Sequence, residues 1–213
     1  MSGKISKIDA ARRQIDTAID LYFSGGDFLP TYAISFSAYQ ILSDIYRHHQ
    51  DDGFLDLLSE KLPPNFRRYL AGPANFLKHA DRDRDAFLNE ITDVDVEAVL
   101  CAATVLYKRI SGELTLRMKG FDYILEEQAY EEIGVKELDT NVERIKEHAA
   151  HREKLRNLPK DEKHAEKTRM YKTFLEIFPA ADATRRYMEE EGLSVVDILN
   201  MLDQRLDTSP KTM

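Results

Sequence analysis

Val94-Asp95-Val96-Glu97-Ala98-Val99-Leu100-Cys101-Ala102-Ala103-Thr104-Val105-Leu106-Tyr107-Lys108-Arg109-Ile110 is the stretch that decides the fold class. Val99, Ala102, Ala103, Leu106 and Ile110 recur at helical steps and line one side of a cylinder, while Lys108 and Arg109 fall elsewhere on it. Gly112 follows, and glycine readily takes the left-handed turn that ends a helix. The apolar run Ala98 to Tyr107 is too short to span a bilayer.

The same period extends toward the N-terminus. Ile8, Ile15, Ile19 and Tyr22 make one apolar stripe, stopped by Gly25-Gly26-Asp27. Pro30 suits the start of the next helix, where Ile34, Ala38, Ile41, Leu42 and Ile45 repeat the pattern. Small residues on that helix (Ala33, Ser35, Ser37, Ala38) permit close approach by a neighbour. Phe54 to Leu58 suggests a short helix, broken by Pro63-Pro64, and Phe66, Tyr69 and Leu70 suggest another. Gly72-Pro73 reads as a break before a helical turn over Asn75 to His79.

Toward the C-terminus the chain stays helical and becomes more polar. Phe121, Ile124, Leu125 and Ile133 mark a helix ending at Gly134, and Val142 to Leu158 a charge-rich one. Pro159 opens a further helix, with Asp161 and Glu162 in its first turn, where the helix dipole favours negative charge. That helix is expected to break at Pro179, with Asp182 to Glu191 forming a separate one. Ser194-Val195-Val196-Asp197 has the form of a capping box for a last helix. No strand alternation and no repeat period is visible. The expected fold is all-α, with an antiparallel helical bundle over residues 1–115 and a charged helical extension over 116–213.

Composition narrows the function classes. The chain has 213 residues, is 43% hydrophobic and 32% charged, and carries a net charge of −8. Such a balance supports a packed core and disfavours a whole-chain nucleic-acid binder. One cysteine, Cys101, excludes an internal disulfide and a cysteine-cluster zinc site within one chain. Its apolar neighbours make it a buried small hydrophobe rather than a nucleophile. Met1 to Asp9 lacks the apolar core of a signal peptide, so cytoplasmic residence is the expectation. No Gly-rich phosphate loop, dinucleotide fingerprint, nucleophile elbow or His-Glu-x-x-His zinc pattern occurs, and no cofactor is expected.

The densest cluster of polar chemistry is Asn75-Phe76-Leu77-Lys78-His79-Ala80-Asp81-Arg82-Asp83-Arg84-Asp85. Asp81, Asp83 and Asp85 resemble the opening of a calcium loop, but Ala86 stands where glycine is needed and Thr92 where the closing glutamate is needed. The preferred reading is structural: Asn75 and the aspartates satisfy a helix end, and Phe76 and Leu77 anchor it. No metal is therefore expected there. As weak catalytic candidates the segment offers Asn75, His79 and Asp81. Arg144 and His151 form an Arg-x₆-His pair on a charged stretch. Residues 143–172 hold ten Lys/Arg against six Asp/Glu, a local basic balance that makes nucleic acid a weakly supported partner. His48-His49 and the His148/His151 pair could each bind a metal, the latter two sharing a helical face, but no Glu-x-x-His or His-Glu-x-x-His pattern accompanies them.

Several of these motifs resemble an uncharacterised bacterial family of all-helical proteins. The shared features are Lys-Ile-x-x-Ile-Asp-Ala-Ala at Lys4 to Ala11, Gly26-Asp27, Ala38-Tyr39-Gln40-Ile41-Leu42, and Asn-Phe-x-Lys-His-Ala-Asp-Arg-Asp at Asn75 to Asp83. The resemblance covers roughly residues 4 to 110 and implies a shared fold. Tyr32 lies near a position where family members carry histidine. More distantly, the plan is similar to HEPN four-helix bundles, whose catalytic members are ribonucleases bearing Arg, then four to six residues, then His. Asn75 and His79 match the latter part, but Ala74 occupies the arginine position, and the phosphate-stabilising guanidinium is missing. The functional expectation is a non-catalytic helical interaction protein. It would act as a homodimer through Ala33, Ser37 and Ala38 beside Tyr39 and Tyr46, or with another protein partner. The alternative is a HEPN-like ribonuclease or nucleotide-handling enzyme.

Overall fold

A computed structural model of the chain describes residues 3–49, 54, 66–78, 84–133, 155 and 157–191. The described elements are all helices: α1 (Lys7–Phe23), α2 (Phe28–His49), α3 (Phe66–Lys78), α4 (Asp93–Ser111), α5 (Leu116–Ile133) and α6 (Lys160–Glu191). The all-α expectation is met among these residues. None of these helices is long and apolar enough to cross a membrane. The chain divides into two compact units, residues 1–171 and 172–213.

Local chemistry sets the helix ends. Ser6 caps α1 by accepting from the Asp9 N–H at 3.0 Å. After Phe23 the chain turns through Gly25, whose φ of 76° is left-handed and suits only glycine without strain. Asp27 then starts α2: its carboxylate accepts from the Leu29 N–H at 2.8 Å and its carbonyl from the Thr31 N–H at 3.3 Å. At α4 the Thr92 N–H and hydroxyl both donate to Asp95 at 2.7 Å, and Gly112 ends the helix at φ 80°. Thr115 caps α5, accepting from the Met118 N–H at 3.2 Å.

The core of the first unit lies where α1, α2, α4 and α5 meet. Ile15, Ala18 and Ile19 of α1, Ala38 and Leu42 of α2, and Val96, Val99, Leu100 and Ala103 of α4 are fully buried. Met118, Phe121 and Ile124 of α5 close over them. Gln14 bonds Ser37, and Tyr22 lies against Phe28, so α1 runs antiparallel to α2. Tyr22 also reaches Glu97 at the start of α4, which makes α1 antiparallel to α4 as well. α2 and α4 are therefore parallel, with their C-terminal ends joined by Arg109 Nε donating to the Tyr46 hydroxyl at 2.9 Å. The Arg109 guanidinium also lies 3.8 Å over the Phe54 ring, a cation–π contact.

Two expected breaks are absent. α3 runs through Gly72 and Pro73, and α6 runs through Pro179. A proline inside a helix removes one donor and crowds the carbonyl four residues back. In α3 the cost is offset by burial of Leu70 and Ala74 and by Tyr32, whose hydroxyl donates to the Leu70 carbonyl at 2.7 Å. In the second unit, Phe174 stacks on Phe178 at 4.6 Å and Arg186 pairs with Asp182 at 2.8 Å, one helical turn apart on either side of Pro179. Of the expected helix at 54–58 only Phe54 is described, of that at 142–158 only Leu155, Asn157 and Leu158, and that at 194–202 lies outside the described residues.

The expected dimer face on α2 needs correction. Ala38 is 0% exposed and Tyr46 is 1% exposed, so both belong to the chain's own core. Ser37 is engaged by Gln14. The isoleucines expected in the core, Ile34, Ile41 and Ile45, are only half-buried. The buried side of α2 is rich in hydroxyls instead: Thr31, Tyr32, Ser35, Ser43 and Tyr46. Thr31 and Ser35 satisfy theirs by donating to carbonyls four residues back, each at 2.7 Å.

Candidate functional site

The most concentrated buried polar chemistry in the first unit joins α1, α4 and α6. Lys167 Nζ lies 2.5 Å from Glu97 Oε1, with the two side chains 5% and 12% exposed. The Tyr22 hydroxyl donates to the same carboxylate oxygen. His164, one turn before Lys167, sets its ring edge-on against Tyr22 at 4.8 Å and Phe28 at 5.8 Å. Both of its ring nitrogens are buried without a hydrogen-bond partner among the described residues. One turn beyond Lys167, Tyr171 stacks on Phe23 at 4.0 Å. The two aromatic contacts and the ion pair place α6 on the bundle at three successive turns.

This constellation is closed rather than reactive. The Glu97 carboxylate is met by one cation and one phenol, so its charge is consumed within the site. Burial, and next the Glu97 charge, push the Tyr22 phenol far above its ordinary range, and it stays protonated at neutral pH. The arrangement spends the carboxylate and the ammonium on each other and leaves the His164 ring nitrogens enclosed without a partner among the described residues. It is suited to fixing which helix faces meet.

A second polar row runs along α1. Arg12 bonds Asp9 at 2.8 Å and pairs with Asp16 at 3.3 Å, while Thr115 donates to Asp16 at 2.5 Å. Arg117 Nε pairs with Asp20 at 2.7 Å. Burial raises the Asp16 pKa, partly opposed by the Thr115 bond, whereas the Arg12 hydrogen bond lowers that of Asp9. These contacts tie the start of α5 to the middle of α1. Among the described residues no group of three or more His, Cys, Asp or Glu side chains is placed to hold a metal ion.

Cys101 is half-buried, and enclosure of its thiol pushes the pKa up to about 12, with Asp122 and Glu97 adding negative charge nearby. Burial also raises Tyr32 and Tyr171. All these groups hold their protons longer when folded than when unfolded. Their contribution to stability is complete below about pH 9, where an exposed thiol begins to ionise, and is lost as pH rises toward the folded values. Stability is therefore expected to fall steadily above pH 9. Urea unfolding midpoints from pH 7 to 11 test this, and a midpoint unchanged to pH 11 would refute it.

Among the sequence-derived candidates only Asn75 is described. It is exposed and sits inside α3, three residues before its end, so it does not cap that end. Leu77 is 43% exposed and Phe76 half-buried, so Leu77 is not the expected anchor. Lys78 does bind back to α2, donating to Gln40 at 3.0 Å. His79, Asp81, Arg144 and His151 lie outside the described residues. Ala74, at the position of the HEPN arginine, is buried at 4% exposure. The Glu97–Lys167 pair escaped sequence reading because its members are 70 residues apart and each resembles a common helical surface charge.

Among the described residues an open groove lies between α1 and α2. Lys7, Ala10, Gln40, Ile41, Ile45 and His48 line it, and its volume is about 640 Å³. Several large apolar side chains also stand in solvent, foremost Phe87 at 99% exposure, then Val94 and Ile177 at 60%, Ile5 at 57% and Tyr69 at 52%. Comparison of the chain with family models, with curated proteins and with solved structures finds no match.

Proposed function

We propose that this chain is a non-catalytic helical interaction protein that self-associates as a homodimer. The observation that carries the reading is a contrast between inside and outside. The Glu97 carboxylate, the Lys167 ammonium and the Tyr22 hydroxyl are paired off within a helix junction, whereas Phe87, Val94 and Tyr69 are presented to solvent. Fully solvated, large apolar side chains such as that of Phe87 gain from burial against a partner. The half-buried isoleucines of α2 add a second apolar surface beside the groove. A lone, protonated thiol fits a reducing compartment such as the cytoplasm.

The ribonuclease alternative draws no support from Ala74. An arginine there would have to enter the interface between α2 and α3 rather than a cleft. A distant HEPN-like ancestry without the catalytic arginine remains compatible with an interaction role. Sedimentation equilibrium at micromolar concentration is expected to report twice the 24.6 kDa chain mass. A single 24.6 kDa species at every concentration would overturn the proposal.

A further inference from the structure

We propose that Phe87 of one copy inserts into the α1–α2 groove of a second copy, and that a two-fold axis returns the same contact. The inference rests on the homodimer reading and names its surfaces. Phe87 is 99% exposed, on the segment between α3 and α4, and packs against nothing among the described residues. A phenyl ring left in water is the side chain that gains most from a partner's pocket. The groove has an apolar floor of Ala10, Ile41 and Ile45. Its volume of about 640 Å³ falls within the span that binding pockets occupy.

Charge supports this choice of occupant. Asp85 and Glu90 flank Phe87, and Asp93 follows. Lys7 stands on the groove rim, exposed and without an ion pair among the described residues. The rim carboxylate of Asp44 is already turned to Arg47 at 3.9 Å. An acidic knob therefore meets a rim with one uncommitted cation. Because one chain holds both knob and groove, a two-fold operator satisfies both copies at once and closes the assembly at two.

Sedimentation of four proteins and one mixture tests this. Phe87→Ser removes only exposed atoms, so melting should not change, but the two-fold dimer loses two buried aromatic side chains at about tenfold to a hundredfold each, so its dissociation constant should rise by about a hundredfold to ten-thousandfold. Ile41→Glu should weaken the dimer comparably from the other side. Lys7→Glu, at an exposed helix start, should weaken it about threefold at low salt and less at high salt. Each contact needs one intact knob and one intact groove. Mixing Phe87→Ser with Ile41→Glu should therefore restore dimer at concentrations where each alone is monomeric. If the wild type is a monomer, the homodimer reading falls and this inference with it. If the wild type is a dimer and Phe87→Ser dimerises equally well, this inference alone is overturned. Ile41→Glu that lowers the melting temperature without weakening association would mean that the groove is filled by the chain's own residues, which also overturns it. Should Ile41→Glu fail to fold, Lys7→Glu decides, and unchanged association at low salt counts against the contact. Growth of open polymers rather than dimers would refute the two-fold closure.

Discussion

Lys167→Met is expected to destabilise the protein by about 3–5 kcal/mol, the scale for removing one partner of a buried ion pair. The Glu97 carboxylate would keep only the Tyr22 hydroxyl, in a place where water cannot replace the ammonium. The double variant Lys167→Met/Glu97→Leu should recover most of that loss, because an apolar pair of similar volume avoids the desolvation cost of both charges. Urea unfolding followed by circular dichroism measures all of these. If the single and double variants are equally destabilised, the cost comes from packing of α6 and not from charge. Proteolysis should cut Lys167→Met near α6 first, since that helix is held to the first unit by the Lys167, His164 and Tyr171 contacts.

Tyr32→Ala is the second large effect, with an expected loss of about 3–5 kcal/mol for emptying a fully buried aromatic site. Tyr32 is 1% exposed, and its ring stacks at 6.4 Å from that of Phe36. Its hydroxyl joins α2 to the Leu70 carbonyl of α3. Tyr32→Phe keeps the ring and loses that bond, so a cost of about 1 kcal/mol is expected. Hydrogen exchange separates the parts: Tyr32→Phe should speed exchange in α3 while leaving the centre of α4 protected. Equal acceleration in both helices would show that the bond serves the whole core instead of securing α3.

Much of the helix plan was legible because it rests on local spacing. The stripes over α1 and α4, and the glycine stops at Gly25 and Gly112, depend on residues within a turn of each other. Pro73 and Pro179 were misread for the same reason. Local rules count the missing donor but not the burial and ring stacking that outweigh it. On α2, the expected stripe holds for Ala38 and Leu42, which are fully buried, and fails for the isoleucines. Its isoleucines lie toward the surface, while hydroxyl residues face inward because their polar atoms are satisfied by the preceding turn or by Leu70 and Arg109. A serine or threonine able to bond the carbonyl four residues back is the signal that could have revealed this. The Glu97–Lys167 pair had no local signal at all, since only tertiary packing brings α4 to α6.

The parallel run of α2 and α4 has a kinetic consequence. Tyr22 and Glu97 are 75 residues apart, and Tyr46 and Arg109 are 63 apart. The α1–α2 and α4–α5 pairs can form from near neighbours, but the contacts that join one pair to the other must wait for a long loop to close. During synthesis at ~5–20 residues per second, Glu97 follows Tyr22 by roughly 4–15 s. Through that interval the growing chain holds a two-helix hairpin whose Ile15, Ile19 and Leu42 have no α4 to cover them. The nascent protein therefore passes through a period of exposed hydrophobic surface that its finished form does not show, and chaperone demand should be concentrated there.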